Sequence, residues 1–262
     1  MMGEKVVAAL VKTVVVYRIL NDDFGAMKLE KLASYRTSTA PVDVTVTDDL
    51  VAISDLMKSV CVVQYKADEG GLQDTLTEVA RHFQTVWATG VASVAKDTFL
   101  ESDAEGNLVV LRRNVNGVTD DDKRRLEVTS EISLGEMVNR IRPVHIQQLA
   151  SVTVTPRAFL GTVEGSIYLF ALINPEHQDF LMRLQATIAA YVDSLGNLRF
   201  NSFRAFRSMV READEPFRFV DGELVERFLE CDAQVQEEIV SLVGGQDVGS
   251  VKAMIEALKR LH

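Results

Sequence analysis

The chain has few of the residues on which a covalent or metal framework would depend. It contains 2 cysteines and 4 histidines in 262 residues. Cys61 falls in a predicted strand and Cys231 at a predicted helix end, so the pair provides no disulfide framework and no metal-ligand spacing. We therefore expect a protein of a reducing, intracellular compartment.

Recognisable catalytic motifs are also missing from the sequence. It has no glycine-rich phosphate loop, no metal-binding histidine pair and no nucleophile elbow. His82, His145, His177 and His262 are scattered, and we predict that each is a loop or surface residue. No catalytic residue, metal or cofactor is therefore predicted, and a small propeller enzyme has no residue set to support it.

Positive charge and long apolar runs are scarce as well. The formal net charge is −10, which disfavours binding to a phosphate backbone because that affinity comes from lysine and arginine. The apolar stretch at the start of the chain, Val6 to Val16, is interrupted by Lys12, and the small-residue cleavage pattern of a signal peptide does not follow it. We expect a soluble chain with no signal peptide and no membrane-spanning helix.

A fourfold repeat is present in the first two thirds of the chain. A small or polar residue precedes an apolar run each time, and the pattern recurs at intervals of 46, 48 and 59 residues, marked by Val14, Val60, Leu108 and Ile167. Intervals near 40 to 50 residues are typical of four-stranded propeller blades. The runs are short and rich in β-branched and aromatic residues, which predicts strands that are inner to their sheets and buried on both faces.

The spacing of the apolar residues changes at Asn174-Pro175, from a pattern typical of strands to one typical of helices. We predict a helix from there to about Leu195, with Gly196 as its stop, and a second helix over roughly Phe200 to Arg211. Three more helices are predicted, at about 222–230, 233–243 and 249–261, each after a potential capping aspartate. The predicted fold is mainly β with α: a partial, WD40-like β-propeller of about four blades over 1–173, then an all-helical domain over 174–262.

Two surface features invite a functional interpretation. The segment Arg199 to Arg211 interleaves arginines and phenylalanines, which in isolation is typical of a nucleic-acid platform. On a helix the phenylalanines would gather on one side, and Arg204, Arg207 and Arg211 would lie on another. This arrangement favours an interpretation in which the phenylalanines are core residues and the arginines form a solvated rim.

Trp87 is the single tryptophan, and tryptophan is enriched at binding hot spots, so it is a candidate docking residue. The charged run Thr119 to Arg125 is predicted to be a solvated loop.

Several motifs together resemble one family. They are Ser54 to Val60 with Tyr65-Lys66, Phe159 to Gly165, and Phe219 to Leu229. In this order they are similar to the large subunit of the damaged-DNA-binding complex, the adaptor of a cullin-RING ubiquitin ligase. The Val-Asp-Gly-Glu-Leu element also looks like the related polyadenylation-factor and splicing-factor large subunits, whereas Asp55 to Val60 and the Leu-His ending favour the ligase adaptor.

The resemblance implies a third propeller followed by a C-terminal helical domain, and a surface that binds substrate-receptor proteins of the ligase. The family's cullin-docking propeller has no counterpart in this sequence, and a ring of seven blades would need the remaining propeller segments of a longer protein, so we expect an isolated arc to be marginally stable. At two positions that align with the family's contact surface the residue type differs: Lys58 stands where the family usually has arginine, and Met137 stands where it usually has phenylalanine. The positions that match its contact surface are Leu56, Lys58, Trp87, Met137, Asn139 and Val163.

We therefore expect a non-enzymatic adaptor in the nucleus and cytoplasm, connected with DNA repair and protein ubiquitination. The alternative is a nucleic-acid-processing scaffold, like the polyadenylation and splicing relatives, in which Arg204, Arg207 and Arg211 contact RNA or DNA. A direct role in nucleic-acid binding is the weaker expectation, because the chain is acidic.

Overall fold

The computed structural model describes residues 5–21, 26–68, 70, 73–144, 153–192, 196 and 198–261. Strands occupy the described chain up to Ile173, and helices dominate after it. The strands are β1 (Lys5–Leu10), β2 (Thr13–Asn21), β3 (Met27–Arg36), β4 (Pro41–Thr47), β5 (Leu50–Asp55), β6 (Ser59–Lys66), β7 (Thr75–Arg81), β8 (Ala88–Ala95), β9 (Thr98–Asp103), β10 (Asn107–Arg113), β11 (Leu126–Ser133), β12 (Val138–Pro143), β13 (Val154–Thr162) and β14 (Ile167–Ile173).

These strands form four antiparallel sheets in which neighbours along the chain are neighbours in the sheet. The first sheet holds β1 to β3, the second β4 to β7, the third β8 to β11 and the fourth β12 to β14. The first strand of the third sheet, β8, contacts both β4 and β12, and a cavity of about 300 Å³ lies among β1, β4, β8 and β12. This arrangement is consistent with propeller blades set side by side.

The four repeated apolar runs are confirmed as strands, and they lie in β2, β6, β10 and β14. β2, β6 and β10 are flanked on both sides by hydrogen-bonded neighbours, and Val60 to Val63 and Leu108 to Leu111 are fully buried, as predicted. The prediction is wrong for the fourth run. β14 lies at the edge of the described part of its sheet, and Ile167 is 77% exposed.

The later helices agree closely with the predicted ones. α2 (Pro175–Tyr191), α4 (Gly222–Glu226), α5 (Ala233–Val243) and α6 (Val248–Lys259) share one apolar cluster that includes Phe180, Leu184, Phe228, Ile239 and Val251, and Asp221 and Asp247 cap their helices as expected. A 3₁₀ turn, Arg227–Glu230, continues α4, whereas Asp232 makes no side-chain cap bond. Gly196 has the expected positive φ of +71° but lies beyond the end of α2.

Two local predictions are wrong. The charged run after Thr119 forms a short helix, α1 (Asp120–Arg124), because Thr119 and Asp122 make a reciprocal capping box; its residues are solvated as expected. The predicted helix from Phe200 ends after one turn as α3 (Phe200–Arg204). The next residues leave the helix because Phe206 enters the apolar cluster of the second and third sheets. Phe203, one of the phenylalanines predicted to gather on the same side as Phe206, is exposed.

Candidate docking surface

One edge of the sheet array carries the turns that connect the second and third strands of a sheet. These turns are residues 56–58, 104–106 and 163–166. Beside them lie the connections between sheets, residues 37–40, 82–87 and 134–137. We call these six segments together the turn face.

Backbone hydrogen bonds hold each turn against a neighbouring connection. Leu56 N–H donates to the Ala40 carbonyl at 2.8 Å, and Ala104 N–H donates to the Trp87 carbonyl at 2.8 Å. Val163 N–H donates to the Met137 carbonyl at 3.0 Å. The turns and the connections therefore form one continuous surface.

Buried polar side chains at the strand ends fix the turns. Asp55 accepts backbone N–H bonds from Ser38 at 2.8 Å and from Thr39 at 3.0 Å, which ties the first connection to the second sheet. At the equivalent place in the third sheet, Asp103 accepts from the backbone N–H of Asn107 at 2.9 Å and from its side-chain amide at 2.8 Å. Burial raises the pKa of Asp103 to about 6, because desolvation of the carboxylate outweighs these bonds.

Five of the six residues of the predicted contact surface lie in these six segments, and Asn139 lies two residues beyond the third connection. Leu56, Lys58, Asn139, Trp87 and Val163 are exposed, the last two by 56%, whereas Met137 is half-buried. Asn139 is the second residue of β12, beside the third connection. Their roles in binding stay a prediction.

Sequence reasoning missed two apolar side chains of the same face. Met57 lies between Leu56 and Lys58 and is exposed, and Phe83 is 63% exposed with the Arg125 guanidinium 5.7 Å from its ring centroid. Large exposed apolar side chains that cluster on one surface commonly mark an interaction site. The signal available in the sequence was a hydrophobic residue close to a charged one: Met57 precedes Lys58, and Phe83 follows Arg81 by two residues.

A serine, a histidine and an acid meet beneath this face, where the second and third sheets join. Ser59 Oγ lies 2.7 Å from His82 Nδ1 and donates to Glu101 Oε1 at 2.6 Å, and Glu101 Oε2 lies 3.0 Å from the same Nδ1. A catalytic triad needs the serine and the acid on opposite ring nitrogens. Here both share Nδ1 and all three side chains are buried, so the cluster links the two sheets and does not have the geometry of a nucleophile.

His82 lies in the loop between β7 and β8, in agreement with its prediction as a loop or surface residue, but it is buried because Ser59 and Glu101, which lie far from it in the sequence, enclose its ring. His177 lies on α2 and is half-buried, and His145 and His262 fall outside the described residues. Cys61 is a buried strand residue as predicted, and burial raises the pKa of its thiol to about 12.

The arginines of the nucleic-acid alternative are bound within the protein. Arg204 is buried, not part of a solvated rim, and donates to Asp221 at 2.7 Å and to the Leu134 carbonyl at 3.0 Å. Arg211 forms a forked pair with the buried Glu131, and Arg207 pairs with Glu212 at 3.1 Å. These guanidinium groups already have carboxylate partners, which disfavours a phosphate-contacting role.

Other site types receive no support from the described residues. In that part of the chain no helix combines the length and apolarity needed to cross a membrane. Among the same residues, no three histidine, cysteine, aspartate or glutamate side chains group as metal ligands would.

Comparison with known proteins confirms the resemblance seen in the motifs. The family model described as the CPSF A subunit region matches residues 1–230. DNA damage-binding protein 1a of Arabidopsis thaliana is 30% identical over 261 residues, which is 98% of this chain and 23% of that protein. DNA damage-binding protein 1 of Schizosaccharomyces pombe is 29% identical over 282 residues, covering 100% of this chain and 25% of that protein. The rice protein of the same name is 27% identical over 98% of this chain.

The chain thus spans about a quarter of the length of the curated relatives it matches. The family match covers all four sheets and continues through α4 and the 3₁₀ turn that follows it. This chain belongs to the CPSF A subunit region family.

Proposed function

We propose that the chain is a non-enzymatic adaptor that acts in the nucleus and docks substrate-receptor proteins of a cullin-RING ubiquitin ligase on its turn face. In this proposal, 1–173 is part of a β-propeller and 174–262 is a helical domain that braces it. The relatives' name, DNA damage-binding protein 1, supports a connection with DNA damage and repair.

One observation carries the proposal. The six positions implied by the family resemblance come from four separate stretches of sequence, yet five of them lie in the turn face with Met57 and Phe83, and Asn139 is two residues away from it. Aromatic and aliphatic side chains surrounded by polar groups are the usual composition of a binding hot spot. An amphipathic helix of a receptor could bury Leu56, Trp87 and Val163 while Asn139 bonds to its polar groups.

The departures from the family suggest how receptor choice differs. Lys58 presents a single ammonium group where arginine presents a planar fork, so bidentate recognition of a carboxylate is lost at this position. Met137 fills the place of a phenylalanine with a more adaptable side chain. We expect this chain to select receptors that tolerate both changes.

The test is binding of a fluorescent synthetic peptide that carries the helical motif of a cullin-RING substrate receptor, measured by anisotropy. Trp87→Ala should weaken binding at least about tenfold, because loss of a hot-spot aromatic typically costs 2 kcal/mol or more. Asn139→Ala should weaken it by a smaller factor. Leu242→Ala is the matched control, since Leu242 is an exposed apolar residue on α5 and not on the turn face. Equal affinities for wild type, Trp87→Ala and Asn139→Ala would remove the turn face from the proposal.

A further inference from the structure

A pocket of about 350 Å³ opens on the turn face at the end of the second sheet. Its walls include Lys58 from the β5–β6 turn and Arg81, His82, Phe83 and Gln84 from the end of β7 and the connection after it. Of these residues only Lys58 belongs to the contact surface implied by the family resemblance.

Two hydrogen-bond donors in this pocket lack an acceptor. The side-chain nitrogen of Gln84 is buried, and no described residue accepts a bond from it. Lys58 is exposed, and its ammonium group has no carboxylate partner among the described residues. Because an unmet buried donor costs roughly 1–3 kcal/mol, an acceptor that enters the pocket gains a bond that the protein does not provide.

The acids near the pocket are already hydrogen-bonded to other groups of the protein. Glu78 is held by Arg81 at 2.7 Å, Asp55 accepts backbone bonds from the first connection, and Glu101 is bonded to Ser59 and His82. The guanidinium of Arg125 adds a further positive group over Phe83. The nearby carboxylates therefore have hydrogen-bond partners of their own, which leaves the Lys58 ammonium group available to an acidic group of a partner.

We propose that this pocket binds the carboxylate of an acidic side chain presented by the docked partner. Lys58 supplies the charge, the Gln84 amide donates the second bond, and the Phe83 ring covers the methylene groups of the acid. A carboxylate fits better than a phosphate because Arg81 is committed to Glu78, which leaves the lining with one unpaired cation in the described structure. The partner's identity rests on the function proposed above, whereas the carboxylate preference is a property of the pocket itself.

The experiment uses the full chain labelled with ¹⁵N and follows the Gln84 side-chain amide by NMR. The probe is N-acetyl-glutamate amide, which carries one carboxylate, with N-acetyl-glutamine amide as the neutral isostere and inorganic phosphate as the competing anion. We expect a saturable shift of the Gln84 amide with the glutamate probe and a much smaller response to the other two. Lys58→Met and Gln84→Leu should each weaken binding about tenfold, the typical loss of a hydrogen bond to a charged group. Lys66→Met, at the opposite end of β6, removes the same charge and should leave the affinity unchanged.

Three results would overturn the inference: no response of the Gln84 amide, an equal response to the glutamine probe, or tighter binding of phosphate than of glutamate. The measurement contains no receptor, so it separates the two proposals. A responsive Gln84 amide in a protein that fails to bind the receptor peptide would reject only the adaptor function. A silent Gln84 amide in a protein that binds the peptide would reject only the carboxylate site.

Discussion

The second and third sheets use the same turn for opposite purposes. In the second sheet the β5–β6 turn leaves Leu56, Met57 and Lys58 open to solvent. In the third sheet the β9–β10 turn is bonded to the segment after α3: Asn107 exchanges hydrogen bonds with the backbone of Arg207, and Met209 N–H donates to Glu105 at 3.3 Å. One turn is available to a partner, and the other attaches the helical part of the chain.

The difference arises at the first residue of the third strand. Ser59 in the second sheet points to His82 and Glu101, so its polar atom is used between the sheets. Asn107 in the third sheet is longer and reaches both Asp103 and the Arg207 backbone, at 2.8 and 2.7 Å. The side chain at this equivalent position thus bonds between two sheets in one case and holds the segment after α3 in the other.

The largest effect on the free energy of unfolding is expected at the buried ion pair between Arg204 and Asp221, in the helical part of the chain. Arg204→Ala should lower the free energy of unfolding by about 3–5 kcal/mol, because it leaves the largely buried Asp221 carboxylate unpaired. Urea unfolding followed by circular dichroism measures this loss. Arg207→Ala is the control, since its pair with Glu212 is exposed on both sides and should contribute about 0–1 kcal/mol. Equal losses for the two variants would contradict the structural role of Arg204.

Asp103, at the start of the β9–β10 turn, should make the free energy of unfolding depend on pH. Its folded pKa of about 6 lies above the ordinary value of 3.8, so the folded protein holds this proton more tightly than the unfolded chain. Its contribution to stability is therefore complete below about pH 4 and is lost as pH rises through 6, by roughly 2–3 kcal/mol. The unfolding free energy of wild type minus that of Asp103→Asn should fall by this amount from pH 4 to pH 7, and a difference that stays constant would reject the raised pKa.

Asn107→Ala should detach the segment after α3 without opening the sheets. Loss of its bonds to Arg207 and Asp103 should cost about 1–2 kcal/mol. Hydrogen exchange would show faster exchange of the Arg207 and Met209 amides, while the amides of β10 stay protected. Asn114→Ala is a suitable control because the Asn114 side chain bonds to Glu127 in an exposed setting.

The smallest effect is expected at the open turn. Leu56→Ala removes an exposed side chain and should change the unfolding free energy by less than about 0.5 kcal/mol. Thermal melts of this variant and wild type should nearly coincide. A large loss of stability would mean that Leu56 supports the fold and is not reserved for a partner.

Periodicity predicted much of the chain because it reports burial directly. The runs at Val60 and Leu108 become strands buried on both faces, and α5 has the bounds expected from its sequence. The same reasoning failed between Phe200 and Arg211. The spacing of the phenylalanines suits a helix, but Phe206 gains more by entering the core of the sheets, and the chain leaves the helix to place it there.

The site was predictable in part for a related reason. Motif resemblance named five positions of the turn face and the neighbouring Asn139, but contacts between distant residues were not visible in the sequence. The cluster of Ser59, His82 and Glu101 could not be predicted from local spacing, because its residues come from β6, a connection and β9. Gln84 gave no sequence signal either, because its unmet hydrogen bond depends on which acceptors its neighbours have already taken.

Arg204 has a mechanical consequence for the whole chain. Its guanidinium joins Asp221 at the start of α4 to the Leu134 carbonyl between the third and fourth sheets. Swinging the helices away would strand a charge and a carbonyl in an apolar setting, so the helices and the sheets should rotate as a unit and melt in a single transition. A force that a bound protein applies to the helices would then be transmitted directly to the junction between the third and fourth sheets.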